Sequence, residues 1–430
     1  MKRKALIAIG CIVIVLLGVV LGISMSPTKK LSKISSTHVN KPVVLIVIDS
    51  LMTKPLQEII KEGEAPAFSF LIENGNFYPE IISSYPTMSV TIDSTLLTGT
   101  YSDQHKIPGL IWFNEDERRM VSYGSGIREI WDNGVKNVAT DSVIYLNEDH
   151  LSKNVRTIYE ELENMNIQSA SINGLLYRGS ISHKLNVPSL ISFIDLLPRD
   201  IDVSAPDILS LGALSQYNPK NDWNKVSWKR MGVNNDFTVN ELTYLLEQKK
   251  LPSFTLAYLP DADASIHKNG PNDTSGIQKA DQSLQKLLNS FDSWEKAVQE
   301  VTWIILGDSG QSFVKEEKHE ALIDLNDLLK EYTFFQKGQK NAQLALGVNE
   351  RMAYVYLMDE KINVPDIVGI LQKDERIGFI AWRDKQTHYV RSSQSKEDFT
   401  FSPVGPYIDE YEQTWQIDGD MSILDIKTNE

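Results

Sequence analysis

The chain has 430 residues, 42% hydrophobic and 23% charged, the proportions of an ordinary globular protein, which exclude fibrous and disordered classes. Lys and Arg total 43 against 57 Asp and Glu, a net charge of −14 that repels nucleic-acid backbones on average, so no nucleic-acid partner is expected. With Cys11 as its one cysteine the chain forms no intramolecular disulfide, and its stability has to come from a core.

At the N-terminus, Met1-Lys2-Arg3-Lys4 is basic and Ala5–Ser24 carries no charge, a run close to the ~20 residues that cross a bilayer core. The basic flank predicts a cytoplasmic N-terminus and a single-pass cell-membrane anchor over residues 1–24, with everything after Met25 outside the cytoplasm. A cleaved signal peptide, cut near Gly22-Ile23-Ser24, and lipidation at Cys11 are the alternatives. Residues 25–41 are rich in Ser, Thr and Lys without an apolar period and predict a linker, and the extracytoplasmic domain then occupies 42–430.

Val43–Ile48 is a continuous run of aliphatic residues, the pattern of a strand buried on both faces of a parallel sheet. Similar runs recur at Ser169–Ile172, Ser253–Tyr258 and Val301–Leu306, with helical patterns such as Asn154–Asn164 and Gly276–Phe291 between them. Alternating strands and helices predict an α/β fold with a mostly parallel central sheet flanked by helices. From 178 to 235 the periodicity fails, which predicts an insertion over one sheet edge. From about 375 to 430 apolar and polar residues alternate (Ile377, Phe379, Ala381; His388, Val390; Phe399, Phe401), which predicts a β-rich part of antiparallel hairpins.

Open α/β sheets bind ligands beyond the carboxyl ends of their strands, so the residues that follow each strand are the candidates for chemistry. Asp49 follows the first run directly. The segment Ser83-Ser84-Tyr85-Pro86-Thr87-Met88-Ser89 is dense in hydroxyls at a turn that leads into a helical pattern ending at Thr98-Gly99. Hydroxyls there act as caps or as nucleophiles, since a helix N-terminus stabilises an anion. After the third run stand Asp263 and His267, four residues apart, and after the fourth stands Asp308. Three carboxylates and an imidazole at one sheet end repel one another unless a cation neutralises them, and that donor set suits zinc or manganese.

In their order these motifs resemble the alkaline phosphatase superfamily, and most closely its type I phosphodiesterase and nucleotide pyrophosphatase branch. Asp49 matches the first aspartate of that family. Pro86-Thr87-Met88-Ser89, nine residues ahead of Thr98-Gly99, matches the P-T-x-T nucleophile segment with Ser89 in the nucleophile place, and Thr100–His105 resembles its continuation. Asp263 and His267 with Gly270-Pro271 match the third motif, and Asp308 with Gly310 the fourth. The resemblance implies an alkaline-phosphatase-like sandwich and a metal-dependent phosphodiesterase or phosphatase, with a phosphate-ester small molecule as substrate. It further implies a phosphoseryl intermediate on Ser89 and one or two divalent ions, zinc first, with manganese or magnesium as alternatives. One ion is implied on Asp49 and Asp308, with Ser89 as its third ligand, and a second on Asp263 and His267.

Three features depart from the family pattern. Ser309 stands where the family has a metal-binding histidine, and no histidine in a glycine-rich context follows Asp308; His319 lies in a charged run and His388 in the β-rich part. The asparagine that holds phosphoryl oxygen in nucleotide-cleaving members falls near Leu110, and Asn114 is the nearest candidate for substrate binding. In the insertion, Arg178 and His183 are candidates for contact with an anionic substrate. A phosphomonoesterase and a catalytically reduced cell-surface binding domain are the alternative functions. A sulfatase is disfavoured, because Ser89-Val90-Thr91-Ile92-Asp93 lacks the Pro and Arg of the sulfatase segment.

Overall fold

The computed structural model describes residues 28–31, 41–124, 134–193, 195–337, 339, 341–395, 397–409 and 411–426. The expected anchor at 1–24 and most of the linker at 25–41 lie outside the described residues. Among the described residues no helix is long and apolar enough to cross a membrane. The chain divides into two compact units, one running to Phe313 and taking in Asn349–Met352, the other comprising Val314–Val348 and the chain from Ala353 onward.

The first unit is built on strand β1, Val43–Ile48. After it come helices α1 (Thr53–Lys61), α2 (Pro66–Glu73) and α3 (Ser89–Thr98), and then a hairpin of β2 (Ile111–Asn114) and β3 (Arg119–Ser122). Helix α4 (Ile158–Asn164) leads to β4 (Ser169–Ile172), the hairpin β5 (Ile181–Asn186) and β6 (Asp200–Ala205), and the short strand β7 (Ile208–Ser210). Helix α5 (Asn235–Glu247), β8 (Phe254–Leu259), α6 (Asp261–Asn269), α7 (Ser275–Leu288) and β9 (Thr302–Gly307) complete the unit. Five strands form one parallel sheet in the order β7-β4-β8-β1-β9.

Alternation along β1 explains why its sequence is apolar throughout. Val44, Ile46 and Ile48 face one core with Ile59, Phe68, Leu245, Ile277 and Leu284. Leu45 and Val47 face the other with Val90, Leu97, Tyr159, Leu256 and Tyr258. Both faces are covered by helices, the arrangement that a parallel sheet requires. The four predicted strands are present with ends within one residue of expectation, and the α/β class with a β-rich C-terminal part is the observed architecture.

The stretch from 178 to 235 holds more regular structure than its pattern predicts. It contains the β5–β6 hairpin and also β7, which extends the main sheet beside β4. Three residues are too few for a period to register. The rest of the stretch is tied down through Glu241 of α5, a buried carboxylate. It accepts hydrogen bonds from Ser210 Oγ (2.8 Å), Tyr217 N (2.8 Å), Asn218 N (3.1 Å) and Asn221 Nδ2 (3.0 Å). Burial pushes the Glu241 carboxyl above its ordinary range, against the pull of these four donors.

The second unit holds the hairpin of β10 (Leu344–Asn349) and β11 (Met352–Leu357) apart from its tip at Asn349–Met352, helix α8 (Val364–Leu371), and a four-stranded antiparallel sheet. That sheet is β12 (Ile380–Asp384), β13 (Thr387–Arg391), β14 (Phe399–Ile408) and β15 (Thr414–Asp418). Val390 and Phe399 are buried as their alternation predicts. The phase before β12 is the reverse of expectation: Phe379 is exposed, while Trp382 stacks on Tyr389 with ring centroids 5.2 Å apart.

Because a glutamine would turn an NH2 group toward donors that need an acceptor, Glu241→Gln should cost about 2–3 kcal/mol of stability. Thermal unfolding should show a Tm lower by several degrees; an unchanged Tm would mean that the four hydrogen bonds do not hold the insertion.

Candidate active site

The register of the sheet sets the site. Ile48 pairs with both Leu259 and Gly307, so the residues that follow, Asp49 and Asp308, leave adjacent strands at the same level. Neighbouring strands lie about 4.8 Å apart. Two charged carboxylates at about 5 Å repel by about 3 kcal/mol at an effective dielectric constant of about 20. Both residues are buried. Burial pushes the Asp49 carboxyl well above its ordinary range, and the neighbouring charges of Asp308 and Asp263 push it further, while the hydrogen bond that Tyr258 Oη donates to Asp49 Oδ2 opposes them.

Ser50 links the strand ends. It is fully buried with a left-handed backbone (φ 60°), a conformation that turns the chain sharply after β1. Its N–H donates to Asp308 Oδ1 (3.0 Å) and its Oγ to Asp263 Oδ1 (2.8 Å). Ser309 N also donates to Asp308 Oδ1 (2.7 Å). Gln311 Nε2 donates to Ser50 Oγ (2.9 Å) and Asp263 Oδ1 (3.0 Å), and His267 Nε2 lies 3.2 Å from that same oxygen, one turn along α6. Asp308 Oδ2 is buried and has no hydrogen-bond partner among the described residues.

Helix α3 supplies the nucleophile candidate. Met88 is the extended N-cap, Ser89 is the first helical residue, and Gly99 ends the helix with a left-handed C-cap (φ 64°), which accounts for the spacing between Ser89 and the Thr98-Gly99 pair. Ser89 is half-buried and Thr87 exposed. The segment ahead of α3 is held to the sheet end by Ser83 Oγ, which donates to the carbonyl of Asp308 at 2.5 Å. His105 is fully buried and is a tie within the fold. Its Nδ1 accepts from Ile107 N (3.1 Å), its Nε2 meets Thr95 Oγ1 (3.2 Å), and burial pulls its pKa down to about 4.

Four residues of this site were not singled out by the sequence: Ser50, Asp93, Tyr258 and Gln311. Asp93 lies one turn beyond Ser89 on the buried face of α3, and burial, with the charge of Asp308 added, holds its carboxyl well above the ordinary range. A charged residue inside the run Val90–Ser94 was the available signal. Tyr258 looks like any aromatic residue in an apolar strand, and only the register, which pairs it with Val47, aims its hydroxyl at Asp49.

The substrate-binding candidates sit elsewhere in the fold. Arg178 is a correction: it is 4% exposed and its five N–H groups are consumed by the carbonyls of Leu151, Ser152 and Val155 and by Glu160 Oε2. No donor remains for an anion. Asn114 ends β2, and its side-chain oxygen accepts from Asp116 N (3.0 Å) and Glu117 N (3.1 Å) to shape the hairpin turn. His183 Nε2 lies 2.7 Å from the Pro206 carbonyl. In the second unit His319 is exposed, and His388 stacks on Phe401 with centroids 4.7 Å apart.

Among the described residues no three His, Cys, Asp or Glu side chains are gathered as a metal-holding group. The donor chemistry nevertheless fits a divalent cation. An orphaned buried carboxylate oxygen on Asp308 and a carboxyl on Asp49 driven toward protonation by burial and then by its charged neighbours are both relieved by one positive charge.

A profile of the type I phosphodiesterase / nucleotide pyrophosphatase family matches residues 43–398. Among solved structures, human ectonucleotide pyrophosphatase / phosphodiesterase 5 is similar with a TM-score of 0.53 at 14% identity, over 80% of this chain and 72% of that one. The murine protein, as an inactive threonine-to-alanine variant in complex with AMP, is similar with a TM-score of 0.51 at 13% identity, over 81% of this chain and 71% of that one. At these identities the likeness is one of fold. Among curated proteins none matches. The family profile spans the sheet, the three strand ends that carry the carboxylates and the helix that begins at Ser89, and the chain belongs to the type I phosphodiesterase / nucleotide pyrophosphatase family.

Proposed function

We propose that this protein is a membrane-anchored, extracytoplasmic hydrolase of phosphoric esters, of the phosphodiesterase or nucleotide pyrophosphatase type, in which Ser89 is the nucleophile. The observation that carries this reading is the meeting at one sheet end of Asp49, Asp263, His267 and Asp308 beside a helix that begins at Ser89. Asp49 and Asp308 would hold one divalent ion and Asp263 with His267 a second, zinc first, with manganese or magnesium next. Such an ion, when bound, lowers the pKa of a serine hydroxyl and screens phosphoryl oxygens.

The chain's own groups supply the rest. Ser89 Oγ forms a bond to phosphorus as the bond to the leaving oxygen breaks, and water then cleaves the phosphoseryl ester and restores the hydroxyl. The first-turn N–H groups of α3 and the positive end of its dipole face the oxygens being transferred. Asp93 lies one turn beyond Ser89 on the buried face of α3, where burial, with the charge of Asp308 added, holds its carboxyl well above the ordinary range. The AMP held by the murine relative supports a nucleotide-type ester as the substrate class. In this reading the insertion sets the choice between diester and monoester.

One observation favours a second reading, a catalytically reduced surface-binding domain. Ser309 offers no imidazole beside Asp308, and Gln311 and Ser50 occupy an oxygen of Asp263 with neutral donors.

Ser89→Ala should lower phosphodiester turnover by about 10³-fold or more without loss of fold, as removal of a nucleophile does. Equal loss from Thr87→Ala, with Ser89→Ala still active, would show the nucleophile to be the other hydroxyl. Metal titration of chelator-stripped protein should show Ser309→His binding zinc about 10- to 100-fold more tightly than the unaltered chain. Tight binding of two ions by both proteins would place the completing ligand elsewhere, and binding by neither would favour the second reading. For the anchor, protease added to intact cells should remove the domain, and a protected domain would contradict an extracytoplasmic site.

A further inference from the structure

Residues 28–31, in the linker, are docked on the first unit. Lys29 N donates to the Gln216 carbonyl (2.8 Å), Gln216 Nε2 donates to Thr28 Oγ1 (3.3 Å), and Leu31 packs against the core that holds Ile59 and Phe68. Gln216 is fully buried, and its Nε2 also donates to Asp222 Oδ1 (2.9 Å). One glutamine thus joins the docked segment to the turn Pro219–Asn224. That turn is held firmly. Asn218 Oδ1 accepts from Lys220 N (2.9 Å) at its start, and the buried Asn221 donates through Nδ2 to the Phe237 carbonyl and to Glu241 Oε1, both at 3.0 Å.

What this fixed turn presents outward is Trp223, 70% exposed, directly after Asp222. Lys220 on the turn and Lys30 on the docked segment are exposed as well, and neither enters an ion pair among the described residues, whereas Asp222 pairs with Lys225 (2.9 Å). On the reading that Ala5–Ser24 crosses the bilayer, four residues lead from Ser24 to Thr28. Fully extended they reach about 14 Å. The headgroup layer of one leaflet takes up about 5–7 Å of that length. Thr28 therefore lies within about 9 Å of the lipid surface, less than the diameter of one helix with its side chains. A domain docked onto Thr28 has no room to stand clear of the membrane.

We propose that the surface formed by residues 28–31 and the Pro219–Asn224 turn rests on the bilayer interface, with the Trp223 indole in the headgroup layer and Lys30 and Lys220 directed to lipid phosphates. The proposal rests on the anchor reading and adds to it the face by which the domain is held. Trp combines a large apolar ring with one N–H donor and collects at membrane–water interfaces for that reason. Lysine stems lie along apolar surface while their ammonium groups reach the phosphates. The net charge of −14 opposes a broad contact with anionic lipid, so the contact is confined to this aromatic and cationic patch.

The test uses the full chain with Cys11→Ser and Pro219→Cys, which leaves a single thiol, on the turn that bears Trp223, for an environment-sensitive nitrobenzoxadiazole label. The chain is reconstituted in vesicles of phosphatidylcholine and phosphatidylglycerol in equal parts, with a doxyl group high on some of the acyl chains. Emission of the label at 219 should shift to the blue and be quenched by the doxyl lipid. A label placed instead by Lys296→Cys, an exposed position ahead of β9 at the opposite edge of the sheet from β7, should show neither effect. Adding Trp223→Ser should remove at least half of the quenching at 219 while Tm stays unchanged. No quenching at 219, equal quenching at both positions, or quenching that ignores Trp223→Ser would overturn the contact. Release of the chain from the vesicles by an alkaline wash is scored separately: it would remove the anchor and the contact argued from it, whereas an anchored chain without quenching at 219 removes the contact alone.

Discussion

Two carboxylates buried side by side are the constraint on which the rest of this structure depends. Parallel pairing of β1 with β9 brings Asp49 and Asp308 to one level, and the same strand pairs with β8, whose following helix carries Asp263 and His267. A repulsion of about 3 kcal/mol per close pair exceeds the ~1–1.5 kcal/mol net of an ordinary hydrogen bond. Donors therefore have to be supplied from several directions. Tyr258 serves Asp49, the Ser50 and Ser309 N–H groups serve Asp308, and Ser50 Oγ with Gln311 serves Asp263. One oxygen, Asp308 Oδ2, is left over. In a family of phosphoester hydrolases, a surplus of buried negative charge is what a divalent cation would neutralise.

The scaffold around these groups is arranged for rigidity. The two cores on either side of β1 hold the strand ends in place, and Ser83 ties the approach to α3 onto the carbonyl of Asp308. The insertion is fixed with comparable care. Glu241 gathers four donors on one side of it, and Asn173 pins the Gly212–Gly232 contact on the other. The loop 227–232 is thereby tied to the carboxyl end of β4 through Asn173.

Much of this was legible in the sequence, and the remainder was hidden for identifiable reasons. The strands β1, β4, β8 and β9 announce themselves because burial on both faces forces apolar runs, and an Asp directly after such a run stands out. The helix that begins at Ser89 was legible because a cluster of hydroxyls preceded a helical pattern. β7 was not, since three residues carry no period, and neither was Asp93, whose burial depends on which face α3 turns to the sheet. Arg178 misled because an arginine in an aperiodic stretch resembles a surface residue, whereas here it satisfies three carbonyls that no helix or strand serves. The phase before β12 failed because alternation fixes which residues share a face but not which face is inward.

The central claim is that the sheet-end carboxylates form a cation site. Anomalous diffraction from crystals of the zinc-loaded protein tests it most directly. The account predicts a peak about 2.0–2.2 Å from carboxylate oxygens of both Asp49 and Asp308, with Asp308 Oδ2 among the ligands. Zinc bound only at other residues, with Asp308 Oδ2 still without a partner, would contradict it.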